Sequence, residues 1–164
     1  MKPIFLVLLA STLLATGCKK NPCPEGAYTN AAYKVCLKLP EGMVFDKEED
    51  QPNMKSLQFV TKDKGSPRMS LQIYKSAETS YASEKAFIEG MVKSAPAQGN
   101  TVAASGQPEG GEGTFALINY KNGVISQLNY VLKSNNQAVE CYTNTGTPSG
   151  PAILDSCKTL RILP

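Results

Sequence analysis

Five cysteines and not one histidine constrain this chain more than any other feature. Cys18 closes an apolar N-terminal run, and the others fall into an early pair, Cys23 and Cys36, and a late pair, Cys141 and Cys157. Structural zinc needs thiolates and imidazoles at short spacings, and neither a histidine nor a C-x₂-C step is present. The missing histidine also removes the commonest general base, which excludes Ser-His-Asp and Cys-His arrangements. No Ser-x-x-Lys spacing offers a serine–lysine nucleophile instead.

The N-terminus supplies the compartment. Lys2 precedes the apolar run Ile4-Phe5-Leu6-Val7-Leu8-Leu9-Ala10, and small residues lead to Gly17. One positive charge, a short apolar stretch and small residues before a break make a secretory signal peptide. The run falls short of the roughly 20 apolar residues that a comfortable bilayer span requires.

The segment Leu14-Ala15-Thr16-Gly17-Cys18 resembles the lipobox of bacterial lipoproteins, with Ala15 where that family usually has leucine. The resemblance implies that the Cys18 thiol receives a diacylglyceryl group and that residues 1–17 are removed. Two acyl chains meet the requirement for stable anchoring that a single chain does not. Lys19 and Lys20 follow, with no aspartate after the cysteine, which resembles lipoproteins sorted to the outer membrane. The expected location is therefore the bacterial cell envelope, lipid-anchored, at the outer membrane.

With Cys18 committed to lipid, four cysteines remain in an exported domain, which reads as two disulfides with three possible connectivities. Their grouping favours Cys23–Cys36 and Cys141–Cys157. Each closes a loop of about 15 residues, worth roughly 3 kcal/mol in the chain-entropy model. Only Lys19-Lys20-Asn21-Pro22 separates Cys18 from Cys23. That reach is about 17 Å at full stretch, so the domain is expected to sit close to the bilayer surface, with Lys19 and Lys20 near anionic headgroups.

Residues 1–17 thus read as signal, 18–26 as lipidated cysteine and tether, and 27–164 as one domain. The net charge of +3 drops by one when Lys2 leaves and gives no argument for nucleic acid. Tyr33 to Leu39 alternates with Val35, Leu37 and Leu39 on one face, and Pro40-Glu41-Gly42 turns the chain toward a short partner, Met43 to Phe45. Leu57 to Thr61 and Met69 to Tyr74 read as strands. From Ser80 to Ala95 the period changes, placing Tyr81, Ile88, Met91, Val92 and Ala95 on one helical face, with a Glu89–Lys93 pair outside. Residues 96 to 113 read as loop or irregular extension. Strands follow at Thr114–Tyr120, Ile125–Leu132 and Ala138–Thr143, the first two joined by the type I′ signal Asn122-Gly123. Pro151 opens a closing helix that carries Ile153, Leu154, Cys157 and Leu160 inward.

This order suits an α+β fold, an antiparallel sheet with helices packed on it. Leu37-Lys38-Leu39-Pro40-Glu41-Gly42-Met43 resembles the strand–Pro–x–Gly–bulky opening of PsbP-like domains. Ile153-Leu154-Asp155-Ser156-Cys157-Lys158-Thr159-Leu160 resembles their terminal helix, with Met43 and Cys157 where that superfamily often has tryptophan and phenylalanine. The resemblance implies an α/β/α sandwich over residues 33 to 164 and a non-catalytic binding or accessory role.

The remaining candidates are few. Asp46, Glu48, Glu49 and Asp50 could hold a hard cation, but the alternating Asp and the Gly of a calcium loop are missing, so a solvated surface loop is expected. Gly110-Gly111-Glu112-Gly113 lacks a phosphate-loop context and reads as a flexible loop. Tyr28, Tyr33, Tyr120 and Tyr130 could form an amphipathic binding face or pack at sheet edges. A carboxylate-only envelope hydrolase would need two of Asp46, Glu48, Glu49, Glu112 and Asp155 brought about 5 to 9.5 Å apart in a cleft. The sequence favours a non-enzymatic envelope lipoprotein, without cofactor or metal, that binds the membrane through Cys18 and an envelope partner through its domain. A structural or protective surface lipoprotein is the alternative.

Overall fold

Alternation at period two becomes strand because opposite faces of a pleated chain meet different surroundings. The computed structural model describes residues 23–63, 68–74, 84–120, 126–134, 137–145 and 150–164. In chain order the elements are β1 (Tyr28–Asn30), β2 (Val35–Leu37), β3 (Met43–Gln51), β4 (Met54–Thr61), β5 (Arg68–Tyr74), α1 (Glu84–Ser94), β6 (Thr101–Gly106), β7 (Thr114–Asn119), β8 (Ser126–Ser134), β9 (Gln137–Thr145), α2 (Gly150–Cys157) and β10 (Arg161–Ile162). Seven strands form one antiparallel sheet in the order β3-β4-β5-β9-β8-β7-β6, and β1-β2-β10 form a small second sheet.

The large sheet has one continuous apolar face. Leu57 and Phe59, Met69, Leu71 and Ile73, Leu128, Tyr130 and Leu132, and Val139 and Cys141 all point to it. It is covered by α2, through Ile153 and Cys157, by Leu160, which lies past the end of that helix rather than on it, and by β2, through Val35 and Leu37. A second, smaller core lies on the opposite face. There α1 lays Ile88 and Ala95, with half-buried Phe87, Met91 and Val92, against Ala116, Ile118, Val131 and Ala138. The domain is thus mostly antiparallel sheet with few helices, one helix to each face.

Several expectations need correcting. The short partner at Met43–Phe45 runs on for nine residues, so the acidic cluster lies on an edge strand rather than in a loop. Residues 96 to 113 contain a 3-10 turn at Pro96–Gln98 and then β6, paired to β7. The short strands β1 and β10 carry too few residues to show a period, and they form only because β2 lies between them. On α1 the ion pair is Lys85–Glu89 at 3.8 Å, one turn before the expected one. Tyr81, Asn122 and Gly123 lie outside the described residues. The Pro40-Glu41-Gly42 turn forms as expected, closed by Met43 N–H to the Pro40 carbonyl at 3.1 Å, with Gly42 at φ +78°, where a side chain would be strained.

Candidate binding face

Beyond the reach of α1, its sheet face changes character. β4 presents Met54, Ser56, Gln58 and Val60 there, β5 presents Ser70, Gln72 and Tyr74, and β9 presents Glu140 and Tyr142. The intervening residues of the same strands are the buried apolar set of the opposite face, so the chain alternates apolar and polar as strictly as a half-covered sheet demands. A bulge at Asp46 extends the polar face to the edge. Phe45 opposes Phe59, yet Lys47, Glu49 and Gln51 oppose Gln58, Ser56 and Met54. One extra residue flips the side-chain parity, leaving Phe45 toward the aromatic cluster while Glu49 joins the amides.

Part of this set lines an open groove of about 320 Å³ that includes Glu49, Gln58, Arg68, Ser70, Gln72 and Tyr142. Hydrogen bonds hold two of its lining amides, Gln58 and Gln72, and the second leads into a network beside the groove. Gln58 Nε2 donates to Glu49 at 2.8 Å. The Tyr74 hydroxyl lies 2.9 Å from Gln72 Oε1 and 3.1 Å from Glu140 Oε2. Asn129 Nδ2 donates to Glu140, Gln127 Nε2 donates to Asn129 Oδ1 at 2.7 Å, and Tyr120 donates to Gln127. Ser56, Asn129 and Glu140 are no more than 5% exposed. Burying such groups costs free energy unless they are bonded, so the network is held together and fixes Gln72, through Tyr74, at the side of the groove. A carboxamide carries both donors and acceptors, and a row of them suits a ligand rich in amides or hydroxyls.

The other predicted residues are dispersed. Cys18 lies outside the described residues. Cys23 is joined to Cys36 and Cys141 to Cys157; the first bridge ties Cys23 to the middle of β2, and the second ties β9 to α2. Glu48 and Glu49 face opposite ways on β3: Glu48 accepts from Tyr33 and lies 3.6 Å from Lys55, while Glu49 belongs to the groove. Lys55 also pairs with Asp50, and that contact raises the lysine above its usual range. The bond to Glu48 likewise raises Tyr33. Asp46 is the bulged residue, Glu112 is exposed in the β6–β7 connection, and Asp155 on α2 pairs with Lys158 at 2.7 Å. Asp155 lines a separate cavity with Lys38 and Pro40. Among the described residues no group of three or more His, Cys, Asp or Glu is placed to hold a metal ion, and no helix is long and apolar enough to cross a membrane.

The four tyrosines do not form one face. Tyr28 stacks on Phe45 with centroids 5.6 Å apart and meets Phe59 edge-on at 5.0 Å. Tyr120 belongs to the polar face, whereas Tyr130 is fully buried on the other. The Tyr130 hydroxyl accepts the Gly113 N–H at 2.8 Å. The glycine-rich connection is therefore a clasp over Tyr130, not the flexible loop its composition implies. Gln58, Gln72 and Tyr142 were not among the residues expected from the sequence, although the polar residues between the apolar ones of β4 and β5 mark a face that no helix among the described residues covers there.

Burial pushes the Tyr130 hydroxyl above the usual tyrosine range, and the Gly113 N–H opposes that in part. The folded state then holds this proton more tightly than the unfolded state. Its contribution is fully present below the ordinary value of about 10 and is lost as pH rises toward the folded value. Tyr130→Phe is expected to cost about 1–2 kcal/mol at neutral pH, because it orphans the Gly113 N–H. It should also flatten the alkaline loss of stability. Urea unfolding across the alkaline range measures both, and parallel profiles for the two proteins would remove Tyr130 as the cause.

No protein-family profile matches the chain, and neither does any curated protein sequence. Among solved structures the chain is similar to the solution structure of the cyanobacterial PsbP protein CyanoP from Synechocystis, with a TM-score of 0.54 at 11% identity, covering 83% of this chain and 91% of that one. At that identity the likeness is one of fold alone.

Proposed function

We propose that this chain is a non-enzymatic lipoprotein of the bacterial envelope, held at the outer membrane through a diacylglyceryl Cys18. Its PsbP-like α/β/α sandwich serves as a binding or accessory module for an envelope component. The observation that carries the reading is the polar half of one sheet face, where pinned amides and a tyrosine line a groove. A purely structural sheet would gain from an apolar cover there, as it does under α1. The non-enzymatic part rests on Glu49 and Asp155 lining different cavities.

The test starts from the full chain expressed with its own N-terminus and purified from envelopes. Intact mass should carry a diacylglyceryl-sized addition on the chain beginning at Cys18. Immobilised wild-type protein should then enrich a discrete envelope component. The triple variant Gln58→Ala, Gln72→Ala, Tyr142→Ala should lose that capture by at least about tenfold, or roughly 1.4 kcal/mol. Equal capture by the variant would move the site elsewhere. No captured component, with an envelope weakened by loss of the protein, would favour a structural role.

A further inference from the structure

The seven-stranded sheet ends in two edges that are defended very differently. β3 carries Lys47, Glu48, Glu49 and Asp50 in succession, and β6 reads Thr-Val-Ala-Ala-Ser-Gly without a charge. Both contain a bulge, at Asp46 and at Ala103, so charge is what separates them. An edge strand offers unpaired N–H and C=O groups to any extended chain, and inserted charges are the usual protection. Four of the six residues of β6 are exposed, and among the described residues no strand pairs with its outer side.

We propose that β6 is a self-association edge, where two copies of this chain pair antiparallel, β6 against β6, to join their sheets. The sequence of the strand suits a copy of itself. Antiparallel pairing about a two-fold at the bulge brings Ala103 and Ala104 of the two copies together and lays Thr101 and Val102 of one along Ser105 and Gly106 of the other, with the ladder interrupted at the bulge itself. Every residue in this contact is small and uncharged. Close by, α1 shares a cavity with Ser105 and Gly106 through Lys85, Glu89 and Lys93, a row of alternating sign that presents no like-charged front. The symmetry also limits the assembly. A β6–β6 contact is isologous and closes at two copies, whereas β6 on β3 would propagate a filament, which the charges on β3 oppose. That asymmetry selects a dimer over an open sheet.

Sedimentation velocity on the full mature chain in density-matched detergent tests this. Wild-type protein should pass from monomer to dimer with a dissociation constant on the order of 100 µM or below. Ala103→Lys with Ala104→Lys should hold the chain monomeric by setting lysines against lysines, and Ala103→Glu with Ala104→Glu should do the same. An equimolar mixture of the two variants should recover a dimer, an outcome that misfolding of either could not produce. Wild-type protein that stays monomeric at all concentrations would overturn the proposal. So would variants that dimerise as wild type does, because another surface would then be responsible.

Discussion

Gly113→Ala is expected to lower the thermal midpoint by about 10 °C or more, through space rather than backbone conformation. A Cβ at that position would stand 2.4 Å from the Val131 carbonyl oxygen and 2.8 Å from two ring carbons of Tyr130. Neither neighbour has room to move. Val131 O is sheet backbone, and Tyr130 is fully buried with its hydroxyl held by Gly113 itself. Overpacking a filled site costs about 1–3 kcal/mol, and losing the clasp bond adds about 1 kcal/mol. Gly90 in α1 is the control. Nothing lies within 4 Å of its Cβ position, so Gly90→Ala should gain about 0.5–1 kcal/mol from helix propensity alone. Circular dichroism melts report both changes. If Gly113→Ala melts with wild type, the connection does not grip the ring as described.

Removing the Cys141–Cys157 bridge should cost more than removing Cys23–Cys36, although the loops are nearly equal at separations of 16 and 13 residues. Loop closure alone predicts nearly the same loss for each, about 3 kcal/mol. The surroundings differ. Cys141 and Cys157 are both 0% exposed in the main core, whereas Cys23 is only half-buried. Cys141→Ala with Cys157→Ala therefore also empties the volume of two buried sulfurs and loosens α2, whose Ile153 covers the sheet together with Leu160 just beyond the helix. The expected loss is about 4–5 kcal/mol for the late bridge and about 2–3 kcal/mol for the early one. Urea unfolding of the two double variants measures the difference. Equal losses would mean that chain entropy is the whole effect.

Local pattern explains most of what was legible. The period-two runs at Leu57–Thr61 and Met69–Tyr74 became β4 and β5, and the change of period after Ser80 became α1. Cysteine grouping anticipated the pairing that joins Cys23 to Cys36 and Cys141 to Cys157. The failures share a cause. β3 looked like three residues because a run of charge argues for loop, and only pairing with β4 holds Lys47–Gln51 extended. β6 was hidden because Ala, Ser and Gly have weak strand preference and acquire it only beside β7.

The binding face divides along the same line. By itself the sequence determined which residues could share a face, since side-chain parity within one strand is a local property. It determined as well how the four later cysteines group into two disulfides. Only the tertiary structure decided that α1 packs over β6–β8 with Ala138 of β9 and Tyr74 of β5 at the rim of that core, that one bulged residue at Asp46 turns Glu49 toward Gln58, and that Gly113 presses on Tyr130 seventeen residues away. Those outcomes depend on contacts between segments far apart in the chain, and no local pattern encodes the register in which such segments meet.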